Sequence, residues 1–145
     1  MTCEAIVARF LRTYPLFDDG SQIVGASEEL WRRSGLPLRT HRALKMESAN
    51  GSVTTTLGMI ENLPVKIGGR DGFTIYVQAQ VVPNAPYNLL LGRPFHRLTA
   101  ATFAHNTDGS VTTTFQDPNS NNKLTLPALP RSRVPCSGIS NVDFH

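Results

Sequence analysis

A mainly β, single-domain fold is what this sequence predicts, and three observations predict it. Its 145 residues suffice for one domain with a modest core. Its apolar runs are short and bounded by Gly, Pro, Asn and Asp, the pattern of strands joined by turns. Asn50-Gly51 and Asp108-Gly109 each lead into Ser-Val-Thr-Thr-Thr. Residues that tolerate positive φ, followed by β-branched strand formers, are the strongest short-range hairpin signal. The flanks of these two stretches differ, so they are not a true repeat. The domain is expected over residues 1–129, with a flexible tail over 130–145, where Pro, Ser and Arg occur without pattern.

The elements follow in order. Residues 5–17 read as strand material, with Ile6, Ala8 and Phe10 alternating with polar or basic neighbours until Tyr14-Pro15 interrupts before Leu16-Phe17. Residues 22–26 continue as a strand beyond a Gly turn. Ser27 then caps a short helix, with Glu28-Glu29 at its positive end, Arg32-Arg33 at its negative end and Gly35 as its stop. Leu30 and Trp31 are expected to face the core. The first hairpin folds residues 43–49 onto 52–60. Strands at 63–67 and 73–82 flank the turn Gly68-Gly69-Arg70-Asp71-Gly72. In the second of these, Phe73, Ile75, Val77, Ala79 and Val81 alternate with Thr74, Tyr76, Gln78 and Gln80, so one face is buried. A turn at 117–122 precedes Leu124-Thr125-Leu126.

Composition narrows the function. The net charge is +3 and the pI about 9.2, yet the basic residues are scattered apart from Arg32-Arg33 and Arg131-x-Arg133. Nucleic acid is therefore not an expected partner. Cys3 and Cys136 fit no metal or redox spacing and are expected as reduced thiols. His41, His96, His105 and His145 form no i,i+4 pair and have no cysteine near them in sequence, so neither a metal site nor a cofactor is expected. Glu4, Arg9 and Arg12 interrupt the apolar Ala5-Ile6-Val7-Ala8. That stretch reads as neither a signal peptide nor a membrane span, and the expected location is intracellular, in the cytoplasm. Asn50-Gly51-Ser52 matches a glycosylation sequon, but it reads as a turn.

Two motifs carry chemistry. In Leu16-Phe17-Asp18-Asp19-Gly20-Ser21, an apolar strand runs straight into a carboxylate, a Gly turn and a hydroxyl. Ending such a strand on an acid is costly unless the acid has a task. The plain alternative is an Asx-type turn in which Asp18 or Asp19 satisfies its own backbone. The second motif is Leu89-Leu90-Leu91-Gly92-Arg93-Pro94-Phe95, approached through Val81-Val82-Pro83-Asn84-Ala85-Pro86-Tyr87.

In this order the two motifs resemble the retropepsin-like aspartic proteases, particularly those of retrotransposon (gag-pol type) polyproteins. The resemblance covers residues 16–97. It implies a retropepsin-like acid protease half-barrel with one or two short helices and an active site at a homodimer interface. Asp18 is then the catalytic carboxylate, and Asp19, Gly20 and Ser21 complete the active-site loop. Ala49, Asn50, Gly51 and Ser52 form the tip of a flap that closes over substrate. Ile23, Val82 and Leu90 are core or subsite walls, Gly92 is the turn beneath the loop, and Arg93 pairs with an acid at the dimer base or lies on the surface. The implied activity is that of an aspartic endopeptidase cutting an extended polypeptide without metal or cofactor. A catalytically inactive dimerisation or peptide-binding module of the same fold is the alternative.

Peptide hydrolysis of this kind uses two carboxylates that share a proton. Asp71-Gly72-Phe73 and Asp108-Gly109-Ser110 lack the preceding apolar pair. One motif per chain completes a dyad only by two-fold symmetry, so a homodimer is expected. The family has Ser or Thr after the catalytic Asp, where this chain has Asp19. That departure is compatible with activity, with activity confined to acid, and with an inactive relic.

Overall fold

The computed structural model describes residues 2–47, 50–69, 72–129 and 139–142. Strands β1 (Ala5–Val7) and β2 (Leu11–Thr13) pair antiparallel, with Val7 opposite Leu11. Between them Ala8 and Arg9 take φ values of 53° and 74°. This hairpin replaces the single strand expected there, because an alternating pattern reads straight through a two-residue turn. β3 (Leu16–Phe17) and β4 (Val24–Ser27) flank the first motif. Helix α1 (Glu28–Ser34) forms as its sequence predicts: Ser27 Oγ accepts from Leu30 N at 3.1 Å, and Gly35 ends the helix at φ 70°. Leu30 is fully buried; Trp31 is half-buried, and its indole N–H donates to Leu36 O at 3.0 Å.

A 3-10 turn at Thr40–Arg42 leads into the first Asn-Gly hairpin, β5 (Lys45–Glu47) and β6 (Val53–Thr55). β7 (Gly58–Ile67) then runs as one strand through the gap expected between two, absorbing the irregularity as a bulge between Ile60 and Leu63. β8 (Phe73–Val82) has the predicted bounds, with Ile75, Val77, Ala79 and Val81 buried. Gln80, expected on the polar face, is buried as well. Its amide accepts from Thr56 Oγ1 at 2.8 Å and donates to Arg42 O at 3.2 Å, which satisfies it. β9 (Leu89–Leu91) and helix α2 (Arg93–Thr99) make up the second motif. β10 (Thr102–His105), β11 (Val111–Gln116) and β12 (Lys123–Ala128) form a meander around the Asp-Gly hairpin.

Among the described residues, eight strands make one curled half-barrel sheet in the order β13-β2-β1-β7-β8-β4-β9-β3, where β13 is Ser140–Asn141. Of the tail expected over 130–145, the described residues 139–142 lie against the sheet: Ser140 lies opposite Arg12, Ile139 is buried, and Arg33 donates to Ile139 O at 3.0 Å. Ile139 and Val142, separated by Ser140 and Asn141, make too brief a pattern to announce a strand. Residues 130–138 and 143–145, Cys136 included, lie outside the described ones. Leu11, Leu30, Ile60, Leu63, Ile75, Leu89, Leu91, Phe95 and Phe115 are all less than 2 % exposed. Each full burial stabilises by about 1.5–3 kcal/mol relative to exposure. Among the described residues no helix is long and apolar enough to cross a membrane.

Candidate active site

The first motif is positioned by the second. β3 lies parallel to β9, with Leu16 opposite Leu90 and Phe17 opposite Leu91. Asp18 continues that ladder by one bond, its N–H donating to Leu91 O at 3.1 Å, and then leaves the sheet into solvent. Its Oδ1 accepts from Gly20 N at 3.0 Å, while its carbonyl accepts from Ser21 N at 3.2 Å. No hydrogen bond among the described residues takes Oδ2. The Asx turn and the exposed carboxylate are therefore one arrangement: local bonds fix the side chain and leave one oxygen for other work. Ser21 Oγ donates to Ile23 O at 3.2 Å and accepts from Ile23 N at 3.3 Å, which stiffens the exit of the loop.

Behind the loop, Gly92 is required by close approach. A Cβ there would stand 2.0 Å from Ile23 O and 2.7 Å from Ser21 O. The next residue binds twice, Arg93 N donating to Ser21 O at 2.8 Å and Arg93 Nε to Asp19 O at 3.0 Å. Arg93 thus braces the loop backbone from the surface and makes no ion pair among the described residues. Ile23 is half-buried and lines a cavity of about 400 Å³ that also touches Leu44 near the root of the first hairpin, Met59 of β7 and Val77 of β8. Val82 and Leu90 are buried at 8 % and 9 % exposure, the first in β8 and the second in β9.

Asp19 is exposed and lines a second cavity, of about 270 Å³, with Phe17, His96, Phe103 and His105. His96 is the residue that sequence reasoning missed. Its Nε2 donates to Leu91 O at 3.0 Å, the same carbonyl that receives Asp18 N. Its ring packs edge-on against Phe17 and Phe95, with centroids 6.2 and 5.7 Å away. Burial pushes its pKa down from the ordinary value, opposed by the Leu91 hydrogen bond and by the charges of Asp19 and Asp18. Its place directly after Phe95 in the second motif was the available signal, but a lone histidine beside an aromatic carries little information without the fold.

The first hairpin stands clear of the body. Lys45, Met46 and Glu47 pair with Thr55, Thr54 and Val53, and Gly51 takes φ 83° at the tip. Asn50 Oδ1 accepts from Ser52 N at 3.1 Å. Ala49 lies outside the described residues. Val53 is 61 % exposed and Leu44 45 %. The root is anchored by polar bonds: Leu44 N donates to Thr56 Oγ1 and Thr56 N to Leu44 O, both at 2.8 Å, and the same hydroxyl donates to Gln80. Among the described residues no group of three or more His, Cys, Asp or Glu side chains is placed to hold a metal ion.

The profile of a family described as Aspartyl protease matches residues 13–95, more than half the chain and both motifs. No curated protein matches the chain in sequence. Among solved structures it is similar to the crystal structure of the retroviral protease-like domain of Ddi1 from Leishmania major. That match has a TM-score of 0.62 and 13 % identity, covering 92 % of this chain and 97 % of that one. At such identity the likeness shows the fold, a retropepsin-like half-barrel.

Proposed function

Since the chain belongs to the aspartyl protease family, we propose that it is an aspartic endopeptidase in which Asp18 meets Asp18 of a second copy across a two-fold axis. The observation that carries this reading is the exposed Asp18, fixed by Leu91 O and Gly20 N at the end of an apolar strand, with an oxygen left over. Two carboxylates held close share one proton. The ionised member takes a proton from water as the water oxygen attacks the scissile carbonyl carbon. The protonated member gives its proton to the carbonyl oxygen. Collapse of the resulting diol breaks the C–N bond, with a proton passing to the departing amine.

The rest of the chain supports these steps. The exposed Val53 and Leu44 gain apolar cover when the hairpin closes over a peptide, and Gly51 supplies freedom at the tip. Among the described residues β10 has one neighbour, β11, and no strand on its other edge beside the Asp19 cavity, where a second copy can pair. The substrate is an extended polypeptide, in the setting of a retrotransposon polyprotein that the paired motifs favour. A reducing cytoplasm suits the buried free thiol of Cys3.

One observation favours a non-catalytic dimerisation or peptide-binding module instead: Asp19 stands where the family has a hydroxyl. Four carboxylates then crowd one axis, and burying them takes up protons, so the dimer strengthens as pH falls. Asp19→Thr removes two of them and extends both dimerisation and activity toward neutral pH. The deciding experiment follows cleavage of an unfolded protein across acidic pH, with the oligomeric state recorded alongside. Cleavage by the parent and none by Asp18→Asn supports the enzyme. A dimer inert at every pH, also as Asp19→Thr, supports the module.

A further inference from the structure

We propose that Arg93, Arg97 and Gln22 form a carboxylate-binding subsite beside the active-site loop, which selects peptides carrying an acidic side chain. The location of the peptide rests on the endopeptidase reading; the chemistry rests on two cavities and their charges.

The first cavity, of about 320 Å³, is lined by Gln22, Arg93, Pro94 and Arg97. The two arginines are one helical turn apart on α2 and so share a face, where like charges repel unless an anion lies between them. Arg93 is pinned by its bonds to Ser21 O and Asp19 O, the second through Nε. Its planar guanidinium is thereby held in place, and among the described residues no hydrogen bond or ion pair takes its terminal nitrogens. The ion pairs of the described residues join Arg12 to Glu4, Arg32 to Glu28, Arg33 to Glu29 and Arg39 to Glu61. None of them involves Arg93 or Arg97, and among the described residues no carboxylate lines the cavity.

The second cavity is the one of about 400 Å³ beside the first hairpin, and it shares Gln22 and Pro94 with the first. Ile23, Met59 and Leu98 give it apolar walls, and among the described residues its one charged lining residue is another cation, Arg42. An apolar side chain of an extended peptide fits there. Side chains two residues apart share one face of such a peptide, so a neighbouring Glu or Asp reaches the arginines. Guanidinium forks bind carboxylates through paired hydrogen bonds, and the Gln22 amide adds a donor. An acidic peptide is favoured over a free anion because the basic cavity shares Gln22 and Pro94 with an apolar one rather than standing alone.

The test uses the full chain as Asp18→Asn, so that bound peptide is not hydrolysed. Short apolar peptides carrying a single Glu, Gln or Lys, walked along the sequence, are titrated by fluorescence anisotropy. At one position Glu should bind about three- to fivefold more tightly than Gln, and Lys more weakly, with the advantage fading as salt is raised. Arg97→Glu, an exposed substitution whose folding is checked by its melting temperature, should reverse the order at that position alone. Equal binding of Glu and Gln everywhere overturns the subsite, as does a preference that survives Arg97→Glu. Loss of dimerisation in Arg97→Glu with the peptide order unchanged overturns it too, assigning the cavity to a carboxylate of the second copy. A parent chain that cleaves without acidic preference removes the subsite and leaves the enzyme. Acid-selective binding by a chain that cleaves nothing removes the enzyme and leaves the subsite.

Discussion

Residues 52–56 and 110–114 have the same sequence and the same turn, yet one strand stands in solvent and the other is a wall of the fold. In each turn an Asn or Asp oxygen accepts from the Ser backbone N–H, at 3.1 Å from Asn50 and 2.9 Å from Asp108, with Gly51 at φ 83° and Gly109 at φ 86°. Beyond the turn they diverge. Val53 is 61 % exposed in a strand that, among the described residues, pairs with β5 alone, whereas Val111 is 8 % exposed in a strand flanked by β10 and β12. Local sequence decides the turn, and what packs against the strand decides its use. β11 continues into Phe115, which joins Phe17 and Phe95 at 5.6 and 5.5 Å beneath the active-site loop. β6 is followed by Thr56, whose hydroxyl anchors the root of the hairpin to Gln80.

Substitutions at matching positions sharpen or break this contrast. Phe115→Ala should cost about 3–5 kcal/mol of stability by urea unfolding, and Leu57→Ala, half-buried at the matching place, about 1 kcal/mol. Equal losses would erase the distinction. Thr113 is fully buried and donates to Thr102 O at 3.1 Å, so Thr113→Val should cost about 1 kcal/mol. Thr55→Val, in the exposed hairpin, should stay within about 0.5 kcal/mol. Val53→Asp should leave unfolding unchanged while weakening peptide cleavage, a split that a purely structural hairpin would not show.

The pH effects are smaller. His96 touches Phe103 of β10 at 6.0 Å and is held below its ordinary value by burial, so the unfolded chain takes up its proton first. Stability should therefore be full above about 6.5 and decline as pH falls through the lower folded value, a slope that His96→Phe should flatten. Hydrogen bonds from the Ser110 side chain and backbone hold Asp108 below its ordinary 3.8. Its contribution should be present above that value and lost as pH falls through the lower folded one, with amide exchange rising at the 108 turn. The turn at Asn50 has nothing to titrate, and Asp108→Asn should make the two hairpins alike.

The turn chemistry and the capped helix were legible because they depend on neighbours: Ser27 and Gly35 end α1 as written, and β8 carries its alternation from Ile75 to Ala79. The pairing of the two motifs was legible only as a resemblance, since the parallel ladder of Leu16-Phe17 on Leu90-Leu91 joins distant segments. Three features were hidden for stated reasons. The Ala8-Arg9 turn uses residues that do not advertise positive φ. Gln80 and Thr56 are polar residues buried as a mutual pair. Arg93 was read for its charge, while its observed bonds are a backbone amide and Nε given to carbonyls of the loop.

The central claim is that each chain supplies half of a dyad, and mixing chains tests it most directly. Parent protein is equilibrated with increasing Asp18→Asn protein at constant total concentration, and the rate of peptide cleavage is followed. If one Asp18 from each of two copies is needed, activity falls as the square of the parent fraction, because only parent–parent dimers cleave. A strictly linear fall would mean that each chain acts with its own Asp18 alone and would contradict the shared site.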